Sequence, residues 1–454
     1  MRDSAPYTLA AGRATPDARR RLARYRWILF SVVGLAGMQM YFHFSWGATL
    51  SRYHTLEWKL DAGQLGLLSA MLFIPFALAQ IPGGYLTDRL GGRKVLSLVM
   101  LLLALGTAIF AGAPNFTLAL IGRMLLGLGT GVIFTPALKV LARWFRAGEF
   151  ATVQGGFILL GTFGSVMGTW PLAVAAESWG WRPPMWAVAG LTSLVAAAIW
   201  FLVRDDPVEL GLPAITTFDP AAISVQAAPM PATKLPSLRT SFRLWYSLPT
   251  LWAISLILLA TSGTLWSFQS LWAGPLLRHV RHLSVIETGS ALLMFTLGKA
   301  VGPLVFGFIS DRLARARKPI VIFSVLAETG VWLLIILTFE HLPLPVLYVA
   351  FAAVSALSGG ALVTQAMIKE LIPPHLFGTI YGIINGSGFY GAAGLQLIIG
   401  AVLKASSPVT IAGEPVYSAQ AYMLALSPMI IFMLIAVVFS FRLSETFGLQ
   451  TEAN

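Results

Sequence analysis

The chain contains no cysteine, which excludes disulfides and thiolate-bound metals. Charge is scarce as well: 11% of the 454 residues are Asp, Glu, Lys or Arg, against about 25% in soluble domains. Acid is the scarcer sign, 19 residues against 31 Lys and Arg, for a net charge of +12. What fills the chain instead is apolar: 57% of residues are hydrophobic and the mean hydropathy is +0.76. A membrane-crossing helix needs roughly 20 mostly apolar residues. Twelve segments qualify, at 27–50, 63–86, 95–113, 117–142, 152–176, 184–203, 249–277, 286–310, 319–339, 345–368, 379–403 and 419–441. In hydrocarbon every backbone polar group must bond internally, so runs of this length predict helices. The expectation is an all-α polytopic protein whose first partner is the lipid bilayer.

The basic excess suggests nucleic acid only until it is mapped along the chain. If the N-terminus is cytoplasmic, 23 of the 31 Lys and Arg lie on the cytoplasmic side of the twelve spans. Arg52, Lys59, Arg182, Arg278, Arg281 and Lys404 lie on the other, while Arg123 and Lys299 lie inside spans. This asymmetry is a topology signal that puts both termini in the cytoplasm, and no nucleic-acid partner is needed to explain it. Residues 1–26 are polar and Arg-rich and enter a full-length helix without a small-residue cleavage pattern, so an uncleaved tail in the cell (inner) membrane is expected.

Residues 204–247 are too polar and too proline-broken, at Pro207, Pro213, Pro220, Pro229, Pro231 and Pro236, to cross a bilayer. They are expected to form a cytoplasmic linker, partly helical near its end, between six-helix bundles at 27–203 and 248–442, with a cytoplasmic tail at 443–454. The two halves share phrases. Gly84-Tyr-Leu-Thr-Asp88-Arg89-Leu-Gly-Gly-Arg93-Lys94 returns in the second half as Gly307-Phe-Ile-Ser-Asp311-Arg312-Leu-Ala-Arg315-Ala-Arg317-Lys318, at an offset of 223. Phe150-Ala-Thr-Val-Gln-Gly155 matches Phe377-Gly-Thr-Ile-Tyr-Gly382 at an offset of 227, and Thr135-x-Ala137 matches Thr364-x-Ala366 at 229. Such offsets indicate a duplicated six-helix unit, and internal symmetry is characteristic of secondary transporters.

On these residues the chain resembles a major facilitator superfamily transporter across all twelve spans. Its 84–94 phrase resembles the family's loop between helices 2 and 3, and Arg123-Met-Leu-Leu-Gly127-Leu-Gly129-Thr-Gly131 resembles the helix 4 motif. Trp144-Phe145 and Gly180-Trp-Arg182 are similar to the organic-anion and nitrate-porter branches. The resemblance implies two pseudo-symmetric bundles rocking about a central site. It also implies that Gly84, Asp88, Arg89, Arg93, Gly307, Asp311 and Arg312 form a cytoplasmic latch that stabilises the outward-open state. Physically, the glycines admit a close helix, the aspartates can accept from helix N-termini and the arginines supply counter-charge. The competing reading is a pair of solvated topogenic loops.

Charges inside spans are functional candidates by default. The resemblance makes Arg123 a coupling or substrate candidate, against a structural Arg bonded to helix carbonyls. Gly127, Gly129 and Gly131 follow no strand, so close packing is expected rather than a phosphate loop. Lys299 stands twelve residues before Asp311, about 18 Å above the loop, and Glu328 ten residues after Lys318, about 15 Å above it. The two can pair, or Lys299 can face the cavity as an anion-binding group and leave Glu328 neutral or a proton carrier. The paired arginines of the family's nitrate porters and sugar-phosphate exchangers have no equivalents here.

Gln39 and His43 share a face of span 1, where His43 is a proton-coupling candidate against a merely hydrogen-bonded histidine. Gln269 is its candidate counterpart in span 7. Trp46 and Trp272 suit a lipid-interface belt. Gln365, Asn385 and Tyr390 are candidate cavity residues, and the span 11 glycines suggest close packing. No metal cluster, nucleophile triad or carboxylate pair at a suggestive spacing is present, so neither an enzyme nor a cofactor is expected. The expected function is proton-coupled secondary transport of a small organic anion by a monomer. The alternatives are an efflux antiporter for hydrophobic compounds and, in another class, a transporter-like receptor.

Overall fold

The computed structural model describes residues 16–215, 238–372 and 374–447. Residues 1–15 and 448–454 of the tails, 216–237 of the linker and the side chain of Phe377 in the repeated phrase lie outside the described residues. Among the described residues twelve helices are long and apolar enough to cross a membrane. Spans 1–6 are Pro16–Trp58, Ala62–Leu90, Gly92–Gly112, Phe116–Trp144, Gly148–Trp179 and Arg182–Leu202. Spans 7–12 are Pro249–Arg281, Val285–Ala314, Lys318–Thr338, Leu344–Leu371, Thr379–Ala405 and Ala419–Phe441.

Span 1 outruns its apolar stretch at both ends, because its Arg-rich entry and the turns through Trp58 are polar but competent to be helical. Span 5 breaks between Met167 and Trp170, beside Pro171, which cannot donate to the preceding turn. Span 7 widens into a π-turn at Phe268–Trp272, just ahead of Pro275. The linker carries a 3₁₀ turn at Pro207–Leu210 and a helix at Leu238–Ser247. Between spans 11 and 12 lies an antiparallel hairpin of β1 (Val409–Ile411) and β2 (Glu414–Val416). Its turn residues Ala412 and Gly413 take φ of 50° and 81°, the left-handed pair that two-residue hairpins favour.

The helix 4 glycines pack helices. A Cβ on Gly131 would lie 2.5 Å from the Phe76 carbonyl oxygen of span 2, and Gly127 meets the Leu72 carbonyl one turn away. Gly129 faces span 3 at Val99 and Leu103. Backbone contact of this kind substitutes for hydrophobic attraction, which lipid does not provide between helices.

The two halves meet through spans 1 and 7, 2 and 11, and 5 and 8. These contacts repeat the duplication. Gly274 of span 7 abuts the Ala48 carbonyl of span 1, and the two positions are counterparts at an offset of 226. A Cβ on Gly66 would lie 2.5 Å from the Gln396 carbonyl oxygen, and one on Gly289 would lie 3.0 Å from Trp170 Cα. Gly66 and Gly289 are 223 apart, and Trp170 and Gln396 are 226 apart, so one contact is the image of the other. All of these lie toward the face opposite the two signature loops, here the far face. At the loop face Gly84 and Gly307 have open space within 4 Å. The close glycine contacts between the halves concentrate on the far face, and spans 2 and 11 stay in contact toward the loop face as far as Ile81 and Gly382.

Because the chain has no cysteine, two introduced ones can carry spin labels without background. Overpacking costs roughly 1–3 kcal/mol and can move a two-state equilibrium about 5- to 150-fold. Gly66→Val is expected to push labels at Lys59 and Pro408 apart in a double electron–electron resonance measurement. An unchanged distance distribution would reject Gly66 as part of the seal.

Candidate functional site

The halves face each other midway through an aromatic cage. Phe44 of span 1 and Phe73 and Phe76 of span 2 meet Trp266 of span 7 and Phe389 of span 11. Ring centroids lie 4.2 Å apart for Phe76–Phe389, 5.1 Å for Phe44–Trp266 and 5.9 Å for Phe44–Phe389. Lys299 of span 8 places Nζ 3.0 Å from the Trp266 ring centroid. Its ammonium is buried without a hydrogen bond. One turn nearer the loop face, Asn385 Nδ2 donates to Gln80 Oε1 at 3.4 Å, again across the halves.

Lys299 and Glu328 therefore do not form an ion pair in this structure. Lys299 turns to span 7, whereas Glu328 is fully buried inside the second half with neither carboxylate oxygen bonded. One turn on, Trp332 packs on Phe268 at 5.1 Å, and its indole N–H, outside hydrogen-bonding geometry, lies beside the Glu328 carboxylate. Similar depth on consecutive helices did not bring the two charges together, because their side chains leave in different directions.

Arg123 is 2% exposed and lays its guanidinium on the Trp46 ring, 4.1 Å from Cζ to centroid, with Nη1 unbonded. Trp46 and Trp272 are each 1% exposed, so neither belongs to a lipid-interface belt. Trp46 lies under Arg123, and Trp272 packs beside Gly66 and Gly400. His54 is a second buried histidine within span 1, stacked on Trp58. It fell beyond the apolar run that the sequence reading used to bound that span.

His43 is bonded at both ring nitrogens, to the Gln39 carbonyl at 2.8 Å and to Thr107 Oγ1 at 3.0 Å. A carbonyl only accepts, so Nδ1 carries a proton. Gln39 itself is 4% exposed. Gln269, the counterpart of His43 in the duplicated chain, donates through Nε2 to Thr296 Oγ1 at 3.3 Å, and its Oε1 is unbonded. Each of the pair thus ties its helix to a threonine on a neighbouring span. Gln365 is half-buried at the break in span 10. Tyr390 is exposed on the stripe of Leu397, Ile398 and Ala401, a different side of span 11 from Phe389 and Gln396, so it does not line the cage.

The signature loops hold bonds within each half. Asp88 pairs with Lys139 at 2.7 Å, and that ammonium also donates to the Thr87 carbonyl. Asp311 pairs with Arg317, which also holds Glu370 at 3.0 Å. Neither aspartate accepts from a helix N-terminus. That role falls to carboxylates following the last span of each half: Asp205 accepts from Arg93 N at 2.8 Å, and Glu445 from Arg317 N at 2.9 Å and Lys318 N at 3.1 Å. Arg89 lies over Tyr85, Arg93 over Trp200, and Arg312 is exposed.

On the far face the sequence reading missed a cluster across the halves. Glu414 of β2 receives Arg52 of span 1 at 3.5 Å, and Arg278 at 3.2 Å and His279 at 3.1 Å of span 7. Arg278 also donates to Ser51 at 3.2 Å, His279 Nδ1 lies 2.8 Å from the Tyr422 hydroxyl, and Lys404 pairs with Asp61 at 3.1 Å. The branch-like residues support the same face: Trp181 Nε1 donates to Glu57 at 2.6 Å beside Arg182, while Trp144 Nε1 donates to the Arg204 carbonyl on the loop face.

Two duplicated helical halves, sealed at one face around an interface carrying a buried charge, define a membrane transport protein. Residues 25–394 match the family model of the Major Facilitator Superfamily. The chain belongs to that superfamily, whose members found here are transporters and not enzymes. It is 28% identical to the probable L-galactonate transporter of Escherichia coli K12 over 263 residues, 57% of this chain and 56% of that protein. It is 24% identical to the D-galactonate transporter of Escherichia coli O6:H1 over 370 residues, 78% and 83% of the two chains. With the gentisate transporter of Corynebacterium glutamicum it shares 26% over 364 residues, 76% and 74%. Among solved structures it resembles a bacterial homologue of the human lysosomal transporter Spinster in an inward-facing, occupied conformation. That match has a TM-score of 0.68 at 17% identity over 92% of this chain and 96% of that one, and shows the fold alone.

Burial pushes the Glu414 carboxyl up, but the His279 hydrogen bond and the Arg278 charge outweigh it and hold the group below its usual range. Its stabilisation is therefore present above the unfolded value of about 4.3 and is lost as pH falls through the lower folded value. Glu414→Gln is expected to lower the melting temperature at pH 7, with the gap to the parent closing below pH about 4. A gap independent of pH would show that the carboxylate's charge is not what stabilises the cluster.

Proposed function

We propose that this protein is a secondary transporter that moves a small organic anion across the cell membrane by alternating access. The observation that carries the reading is Lys299, an ammonium without a carboxylate or hydrogen-bond partner at the interface of the two halves. A charge held near the middle of a bilayer is costly unless it serves a pathway, and an anion is the partner that would complete it. The names of the relatives, galactonate and gentisate transporters, agree with a carboxylate cargo. The Lys and Arg asymmetry supports a cytoplasmic loop face, so that the structure corresponds to a state open to the cytoplasm.

In the opposite state the loop face closes, and the empty space at Gly84 and Gly307 is where a helix of the other half would seat. The bonds of Asp88 and Asp311 within their own halves keep those loops in shape for that closure. Proton coupling is the further part of the reading. Glu328, an unbonded buried carboxyl, suits a proton carrier better than His43, both of whose nitrogens are engaged. The protein works as a monomer, since each copy contains both halves of the site.

Proteoliposomes holding the full chain test this. A saturable flux of at least one organic anion, accelerated by an inward proton gradient, is expected. Glu328→Gln should keep anion exchange while losing gradient-driven accumulation, and Asp88→Asn should lower transport with membrane insertion intact. Specific ligand binding without flux of any compound would replace the transporter with a receptor.

A further inference from the structure

We infer that the site at Lys299 takes an aromatic carboxylate in preference to a polyhydroxylated sugar acid. The inference rests on the organic-anion reading above and deepens it. The cage consists of four phenylalanines and one tryptophan, and only Trp266 among these side chains carries a polar atom. Sugar acids bring a hydroxyl on nearly every carbon. Most would lose their water here without gaining a partner, and an unpartnered buried hydroxyl is costly. A benzoate-like ligand brings the reverse: one flat apolar face for the rings and one charged end.

The geometry gives each part a place. Ring faces come from both halves, so parting Phe76 from Phe389 opens a slot between aromatic walls, where stacked and edge-on pairs are favourable. Lys299 stands at the edge of that slot on the Trp266 face. Within the protein, the ring's negative face serves as the ammonium's partner. A carboxylate is a stronger partner, because a charge-assisted bond outweighs a cation–π contact. The Gln80–Asn385 amide pair lies one helical turn toward the loop face, within reach of a ring hydroxyl at the opposite edge. A cage that were only an apolar seal between the halves would have no use for a buried cation at its rim.

The duplication makes the same point. Lys299 is the counterpart of Phe76 at the offset of 223 that relates the signature loops, so the position that is phenylalanine in the first half is lysine in the second. One ring of a symmetric pair has been exchanged for a charge. The result is a slot with aromatic surface on one side and an anion-binding group on the other.

The test uses the full chain in proteoliposomes with radiolabelled benzoate, 2,5-dihydroxybenzoate and gluconate, and benzamide as the uncharged control. Saturable uptake of the two aromatic acids is expected, with gluconate at 100-fold excess competing poorly and benzamide not at all. Lys299→Gln should reduce aromatic-acid uptake roughly 10- to 150-fold, the equivalent of losing a hydrogen bond to a charged group. Lys299→Arg, which keeps the cation, should retain more uptake than Lys299→Gln. Phe389→Leu should raise KM for the aromatic acids about tenfold or less. Uptake of gluconate with the aromatic acids inert would overturn this inference and leave the organic-anion reading standing. Absence of flux and binding for every anion would overturn that reading, and this inference with it. The ligand panel on the unaltered chain decides between these outcomes even where a Lys299 variant does not fold.

Discussion

Spans 1 and 7 touch backbone to backbone where Gly274 abuts Ala48, and those two positions are counterparts in the duplicated chain. A contact between counterparts lies on the pseudo-two-fold axis, so it is the one place that a rocking of the halves moves least. The remaining contacts between halves are arranged about it. Gly66 on Gln396 and Gly289 on Trp170 are images of each other and seal the far face on both sides of the axis. Absence of a side chain is what permits these approaches, since lipid supplies no hydrophobic drive between helices and packing must come from close backbone contact. The far-face cluster around Glu414 adds a polar fastening to the same seal, joining Arg52 of the first half to Arg278 and His279 of the second.

Placement of charge follows from the same low-dielectric setting. A buried ion without an ionic partner is expensive, and among the described residues Arg123, Lys299 and Glu328 are charged side chains of this kind within spans. Arg123 is lodged on Trp46 in the first half and Lys299 on Trp266 in the second. Both cations rest on tryptophan faces, an arrangement that compensates part of the desolvation without consuming a carboxylate. Glu328 has only the Trp332 indole N–H beside it, out of hydrogen-bonding geometry, and forms no ion pair. Had Lys299 and Glu328 paired, both costs would have been reduced at once.

The architecture was legible because its signals are long and repeated. Apolar runs of about 20 residues report spans directly, and a short pattern recurring at an offset of 223 reports the duplication. The glycines of helix 4 were readable as packing residues for the same reason. What was illegible depends on direction and partner, which one-dimensional spacing does not encode. Lys299 and Glu328 have matching depth yet opposite environments. Trp46 and Trp272 sit where an interface belt would place them, and are buried because the halves close over them. Asp205 and Glu445 cap the third helix of each half from far along the chain, a task the sequence reading gave to Asp88 and Asp311. The Glu414 cluster had no precursor signal at all, since such short strands carry no period and its members come from distant parts of the chain.

Symmetry and its breaking divide the labour of this fold. Where the two halves keep equivalent residues at Gly66 and Gly289, Phe42 and Phe268, and Trp46 and Trp272, the pair serves packing. A gate must work about the axis, so both sides of it benefit from the same chemistry. A binding site has no such requirement, because its ligand is not itself symmetric: an anion with one charged end needs its counter-charge on one side only. Positions 76 and 299 differ in this way, a ring in one half and an ammonium in the other, at the interface of the halves. Any motion that parts Phe76 from Phe389 then changes the surroundings of Lys299 as well, since Trp266 packs on the rings that move.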